Sequence, residues 1–155
     1  MVKKFFSTFI LILLLAGCSI FVKEPIQEVK GKNVVSIFFN DRSFKTEVVK
    51  KVSQSLTAKG YRVVTDKVKQ ARYYNSADYG AVVYMAELWA WHTPLHAKKY
   101  HKKNTAQNTV FVITSGDPDV VIKEPFDAVT SASKPEEAER VAREIMEKLN
   151  NILMK

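Results

Sequence analysis

The stretch from Asn33 to Asp66 constrains the fold of this chain more than any other part of it. Residues 33–41, NVVSIFFND, form an unbroken apolar run rich in β-branched and aromatic side chains and closed by Asn40 and Asp41. Such a run reads as a buried strand. Ser43 is placed as the N-cap of a following helix, in which Phe44, Val48, Val49, Val52 and Leu56 fall on one face. Lys45, Glu47, Lys50, Lys51 and Gln54 are placed off that face. Gly60 follows as the C′ residue that ends the helix, and YRVVTD (61–66) reads as a second strand. A strand, an amphipathic helix and a strand make a βαβ unit, whose crossover is right-handed by default.

The remaining elements extend this unit. AVVYMAELWAWH (81–92) reads as a long third strand and TVFVITS (109–115) as a fourth. Residues 119–124 and 126–131 are expected to add an edge strand or a hairpin after the turn-forming Gly116-Asp117-Pro118-Asp119. The chain closes on a helix with Ser133 as expected N-cap, Pro135 at N2 and Glu136 at the capping-box position. Its stripe is Ala138, Val141, Ala142, Ile145, Met146, Leu149, Ile152 and Leu153. The expected fold class is α/β, a two-layer sandwich: a four- to five-stranded mixed sheet with two main helices on one face. Residues 33–155 are expected to be one domain, with no internal repeat or low-complexity tract.

The N-terminus carries an address. Lys3 and Lys4 precede an apolar stretch, Phe5 to Leu15, that is too short to span a bilayer and fits a signal peptide. Leu15-Ala16-Gly17-Cys18 then resembles the lipobox of bacterial lipoproteins at all four positions. The resemblance implies a signal peptide at 1–17, diacylglycerol on Cys18 and N-acylation, palmitate included, of the new terminus. Residues 18–32 become a lipidated tether. Ser19, where Asp would favour inner-membrane retention, implies the outer membrane, with the domain facing the periplasm of the cell envelope. Cys18 is the chain's one cysteine, so an internal disulfide is excluded. Net charge is +8, and +6 once Lys3 and Lys4 are removed with the leader. In an envelope this suits anionic head groups or glycans rather than nucleic acid.

A second, looser resemblance covers the domain. LTAKGYRVV, SADYGAVVYM and SKPEEAERVAREIMEKL, in that order, are similar to segments of small envelope lipoproteins. Their fold is like that of the N-terminal domain of the Tol-system translocation protein. That resemblance implies scaffolding or partner binding and brings no catalytic motif.

Residues 87–104, ELWAWHTPLHAKKYHKKN, are the densest unusual segment. On a strand Trp89 and Trp91 would share a face with Val83 and Met85, left open if helices cover only the other side, under which Val82, Tyr84 and Ala86 would lie. There they could anchor a protein partner or a second protomer; a loop folded over them is the plainer alternative. His92, His96 and His101 could bind Zn or Cu, but Pro94 disfavours a helix between the first two. No acidic residue lies between Glu87 and Asp117 to orient them. Lys98, Lys99, Lys102 and Lys103 form a basic loop suited to lipid head groups or glycan carboxylates, or simply to solvent. No G-x-S-x-G, H-E-x-x-H or phosphate-cradling glycine loop occurs. The expected function is therefore non-enzymatic, with no cofactor and no bound metal. It is a lipid-anchored structural or accessory component that binds a protein partner or itself. Capture of a metal ion or anionic glycan through residues 89–103 is the alternative.

Overall fold

In a computed structural model of the chain, the described residues are 29–88, 92–104, 107–117 and 127–155. Cys18, Trp89, Trp91 and the expected strand at 119–124 lie outside them. The strands are β1 (Gly31–Phe39), β2 (Arg62–Lys67), β3 (Tyr79–Glu87), β4 (Thr109–Ser115) and β5 (Ala128–Ala132). The helices are α1 (Ser43–Ala58), α2 (Leu95–Lys103) and α3 (Ala138–Leu153), with 3-10 turns at Val68–Tyr73, Ser76–Asp78 and Pro135–Glu137.

All four strand pairings are parallel, in the order β2-β1-β3-β4-β5. The expected mixed sheet is thus corrected. Every strand returns to the same edge before the next begins, so all carboxyl ends point one way. β2 and β3 flank β1 on opposite sides, which makes the β1–β3 junction the switch point of a doubly wound sheet.

The two-layer expectation is corrected with it. Val35, Ile37, Phe39, Ala81, Val83 and Met85 pack beneath α1 and α3 in one core. Val34, Phe38, Val82, Tyr84, Ala86, Phe111 and Ile113 pack on the other face against α2 and the 3-10 turn at 68–73. The expected parity of β3 is reversed: Val83 and Met85 lie under the two long helices, and the other face is covered as well. Six consecutive buried residues, Val34 to Phe39, reflect cover on both sides. Among the described residues, no helix is long and apolar enough to cross a membrane.

Local chemistry explains the boundaries. Gly60 ends α1 at φ +84°, as its expected C′ role requires. Ser43 is instead the first residue of α1, after Arg42, and no side chain caps that end. Nor does Ser133 cap α3, which starts after the 3-10 turn entered from Lys134. β4 occupies 109–115 as expected, and β5 is an edge strand parallel to it. α2 was expected to be loop. Pro94 precedes its first turn, where a missing N–H costs no intrahelical bond. Ala97 and Tyr100 dock it on the sheet, with Tyr100 stacked on Tyr84 at 4.7 Å between ring centroids. At the sheet's amino edge, Asn104 accepts from Ser76 N at 2.7 Å and donates to the Tyr100 carbonyl at 3.0 Å.

Candidate ligand site at the carboxyl edge of the sheet

The carboxyl ends of β1, β3, β4 and the segment after β5 converge on a cavity of about 360 Å³. It is lined by Arg42, Ser43, Lys45, Glu87, Thr114, Ser115 and Ser133, with Gly116 leaving its side open. Each arrives for a topological reason: Arg42 and Lys45 at the β1–α1 turn, Glu87 at the end of β3, and Thr114 to Gly116 where β4 runs out.

Lys45 is the centre of the site. Its side chain is 1% exposed, and its Nζ donates to Glu87 Oε1 at 2.9 Å across the switch point. Arg42 Nε lies 3.7 Å from the same oxygen. Burial pushes the Lys45 pKa down, and the hydrogen bond it donates to Glu87 opposes that shift. The same bond holds the Glu87 carboxyl below its ordinary range against the effect of burial. Two cations therefore share one carboxylate, leaving the cavity with a net positive charge. The first-turn N–H groups of α1 have no intrahelical acceptor and no side-chain cap. Together with the dipole of this 16-residue helix, they favour an anion. Hydroxyls complete the lining: Thr114 Oγ1 donates to the Ala86 carbonyl at 3.3 Å, and Ser115 Oγ pairs with the backbone of Asp117.

A second cavity of about 570 Å³ adjoins the first across Glu87 and Leu88, on the α2 side. Asn40, Thr93, Leu95 and His96 line it. Tyr84 Oη and His96 Nδ1 are 2.7 Å apart. Burial pushes the Tyr84 phenol strongly up, so it keeps its proton in its hydrogen bond with a neutral imidazole. Burial, and then the charge of Lys45, lower the His96 pKa, which favours that neutral ring. Thr93 is buried, and its hydroxyl has no hydrogen-bond partner among the described residues.

The residues expected to form a site are mostly dispersed. His96 is bonded to Tyr84, His92 is exposed, and His101 meets the edge of Phe111 at 5.6 Å. Among the described residues no three His, Cys, Asp or Glu side chains form a metal-binding group. Lys98, Lys99, Lys102 and Lys103 are exposed on α2, a helix rather than a loop. Arg42, Lys45 and the serines were not singled out by sequence. One signal was present: Lys45 lies three and four residues before Val48 and Val49, on the apolar stripe rather than off it.

An all-parallel sheet in the order 2-1-3-4-5, with helices on both faces, defines the flavodoxin-like class of doubly wound α/β folds. The sequence matches no protein-family model and no curated protein. Among solved structures, oxidised Flavodoxin 2 from Bacillus cereus aligns with 76% of this chain and 97% of its own, at a TM-score of 0.51 and 10% identity. Rubredoxin:oxygen oxidoreductase from the anaerobe Desulfovibrio gigas aligns with 83% of this chain and 39% of its own, at a TM-score of 0.49 and 16% identity. A flavodoxin from the domain Archaea aligns with 77% and 97%, at 0.47 and 8%. The first of these supports the fold assignment. The doubly covered parallel sheet, with its cavity at the carboxyl edge, corrects the expectation of a non-catalytic structural component and its alternative of metal or glycan capture by residues 89–103. The anchoring role expected of Trp89 and Trp91 depended on an open sheet face, and both faces of this sheet are covered.

Proposed function

We propose that this protein binds a phosphorylated, flavin-type cofactor at the carboxyl edge of its sheet and serves in electron transfer. One observation carries the reading: Arg42 and the pair of buried Lys45 with half-buried Glu87 line a polar cavity at the β1–β3 switch point. Ligands of doubly wound sheets bind outside the carboxyl strand ends at this junction, as flavin mononucleotide does in this strand order. The chain's residues suit the phosphate end of such a group. Arg42 and the first-turn N–H groups of α1 would hold the phosphate, with Ser43, Ser115 and Ser133 as further partners. Lys45 would add charge without needing to leave Glu87. The adjoining cavity brings the His96 imidazole and the Thr93 hydroxyl as groups for the polar edge of a ring. When bound, a flavin supplies one- and two-electron redox chemistry; the protein supplies orientation and charge.

A fluorescence titration tests this. The chain from Ser19 onward should quench flavin mononucleotide at one equivalent and bind riboflavin, which lacks the phosphate, much more weakly. Arg42→Ala should weaken the mononucleotide about tenfold, the worth of one charged hydrogen bond, and leave riboflavin unchanged. Absence of mononucleotide binding, or equal affinity for both flavins, would overturn the proposal.

A lipid tether at Cys18, holding residues 33–155 beside a membrane of the cell envelope, is proposed with it. Its support is Leu15-Ala16-Gly17-Cys18 after a short apolar stretch. Labelled palmitate should enter the native chain and not Cys18→Ser, which should also stay uncleaved; a labelled, cleaved Cys18→Ser chain contradicts the tether.

A further inference from the structure

The two layers that cover the sheet carry very different charge. On the α1–α3 side, residues 43–58 and 135–153 hold six cationic and six acidic side chains. Many of these pair: Lys51 with Glu139 at 2.8 Å, and Arg140 with Glu144 at 2.6 Å and with Glu137. On the other side, residues 67–73 and 95–103 hold seven cations, Lys67, Lys69, Arg72, Lys98, Lys99, Lys102 and Lys103, and no acid. All seven are exposed.

These cations form one surface. Ala97, Tyr100 and Asn104 turn inward at a spacing of three and four, so the exposed Leu95, Lys98, Lys99 and Lys102 repeat on the outer face at the same spacing. Lys103 Nζ donates to the Arg72 carbonyl at 2.8 Å, fastening the end of α2 to the 3-10 turn. On that turn the Arg72 guanidinium lies 4.6 Å from the ring centre of Tyr73, which is 62% exposed. Exposed Tyr and Leu beside a field of lysines is the composition that suits the head-group region of a bilayer. Of the flanking acids, Asp78 pairs with Lys30 at 2.7 Å, while Asp66, which accepts from Tyr74 Oη at 3.2 Å, keeps its charge and offsets one of the seven cations. The Lys30–Asp78 bridge also fixes where the chain enters β1, beside the 3-10 turns at the amino edge.

We propose that the layer formed by residues 67–73 and 95–103 docks on an anionic phospholipid bilayer. Charge complementarity carries the inference; it holds with or without the cofactor.

Sedimentation with vesicles tests it, using the chain from Ser19 onward, which keeps every described residue and lacks Cys18. The protein should pellet with phosphatidylcholine–phosphatidylglycerol vesicles, be released by salt, and ignore pure phosphatidylcholine. K98Q/K99Q/K102Q should lower partitioning about 100-fold, since each lysine near an anionic surface contributes about fivefold. K50Q/K51Q/K148Q removes the same charge from the opposite layer and should leave partitioning within a fewfold of native, with both triple variants melting as cooperatively as native. Equal losses in the two triples, undiminished binding in the first, or binding to duplex DNA as tight as to the vesicles would each overturn the proposal.

Discussion

Lys45 illustrates how one residue can define a site. A lysine on the apolar stripe of α1 is stable there only with an acceptor, and Glu87 provides it from the next strand of the sheet. The two partners are unequal, because the Lys45 side chain is 1% exposed and that of Glu87 38%. Glu87→Gln strands a buried ammonium and should cost about 2 kcal/mol in urea unfolding, below the range for fully buried pairs because Glu87 reaches water. Lys45→Met replaces the ammonium with an apolar chain of similar length and should cost about 1 kcal/mol or less. A larger loss for Lys45→Met would contradict the desolvation account. In the sequence this site was half legible. The stripe marked Lys45, but nothing local marks Glu87 as its partner, because 42 residues separate them and only the parallel β1–β3 pairing joins them.

At the scale of elements, hydrophobic pattern identified strands and long helices well and their directions poorly. Val34–Phe39, Ala81–Ala86 and Val110–Ile113 are continuous buried runs, which two-sided cover demands and a one-sided sheet does not. That signal pointed to a parallel, doubly covered sheet. α2 escaped notice because only Ala97 and Tyr100 anchor it, and Pro94 reads equally as a breaker or as a start. The ladder itself contains a sharp constraint at Gly80. A Cβ there would stand 2.0 Å from the Lys32 carbonyl oxygen, beside the register shift between Gly31 and Val35. Gly80→Ala should therefore cost about 3 kcal/mol by forcing β1 and β3 apart. Gly60→Ala meets no atom within 4 Å but must hold φ +84°, and should cost about 1 kcal/mol. Thermal melts that ranked the two substitutions in the opposite order would contradict the tight β1–β3 approach.

For the whole molecule, the parallel sheet separates three surfaces. Its carboxyl edge gathers strand ends and the start of α1 around a cationic cavity; among the described residues, one helical layer is charge-balanced, and segments 67–73 and 95–103 of the other carry only basic charge. Total charge was readable from composition, but its division between layers was not, since that depends on which side of the sheet each connection crosses. The resemblance of Leu15-Ala16-Gly17-Cys18 to a lipobox is a separate, local reading that does not depend on the fold. The central claim concerns the carboxyl edge, and mapping a bound ligand onto it is the most direct test. Backbone amide resonances of the chain from Ser19 onward, followed by NMR as flavin mononucleotide is added, should shift together at Ser43–Lys45, Glu87–Leu88, Thr114–Gly116 and Ser133. No shifts at saturating cofactor, or shifts confined to the amino edge around Ser76 and Asn104, would contradict it.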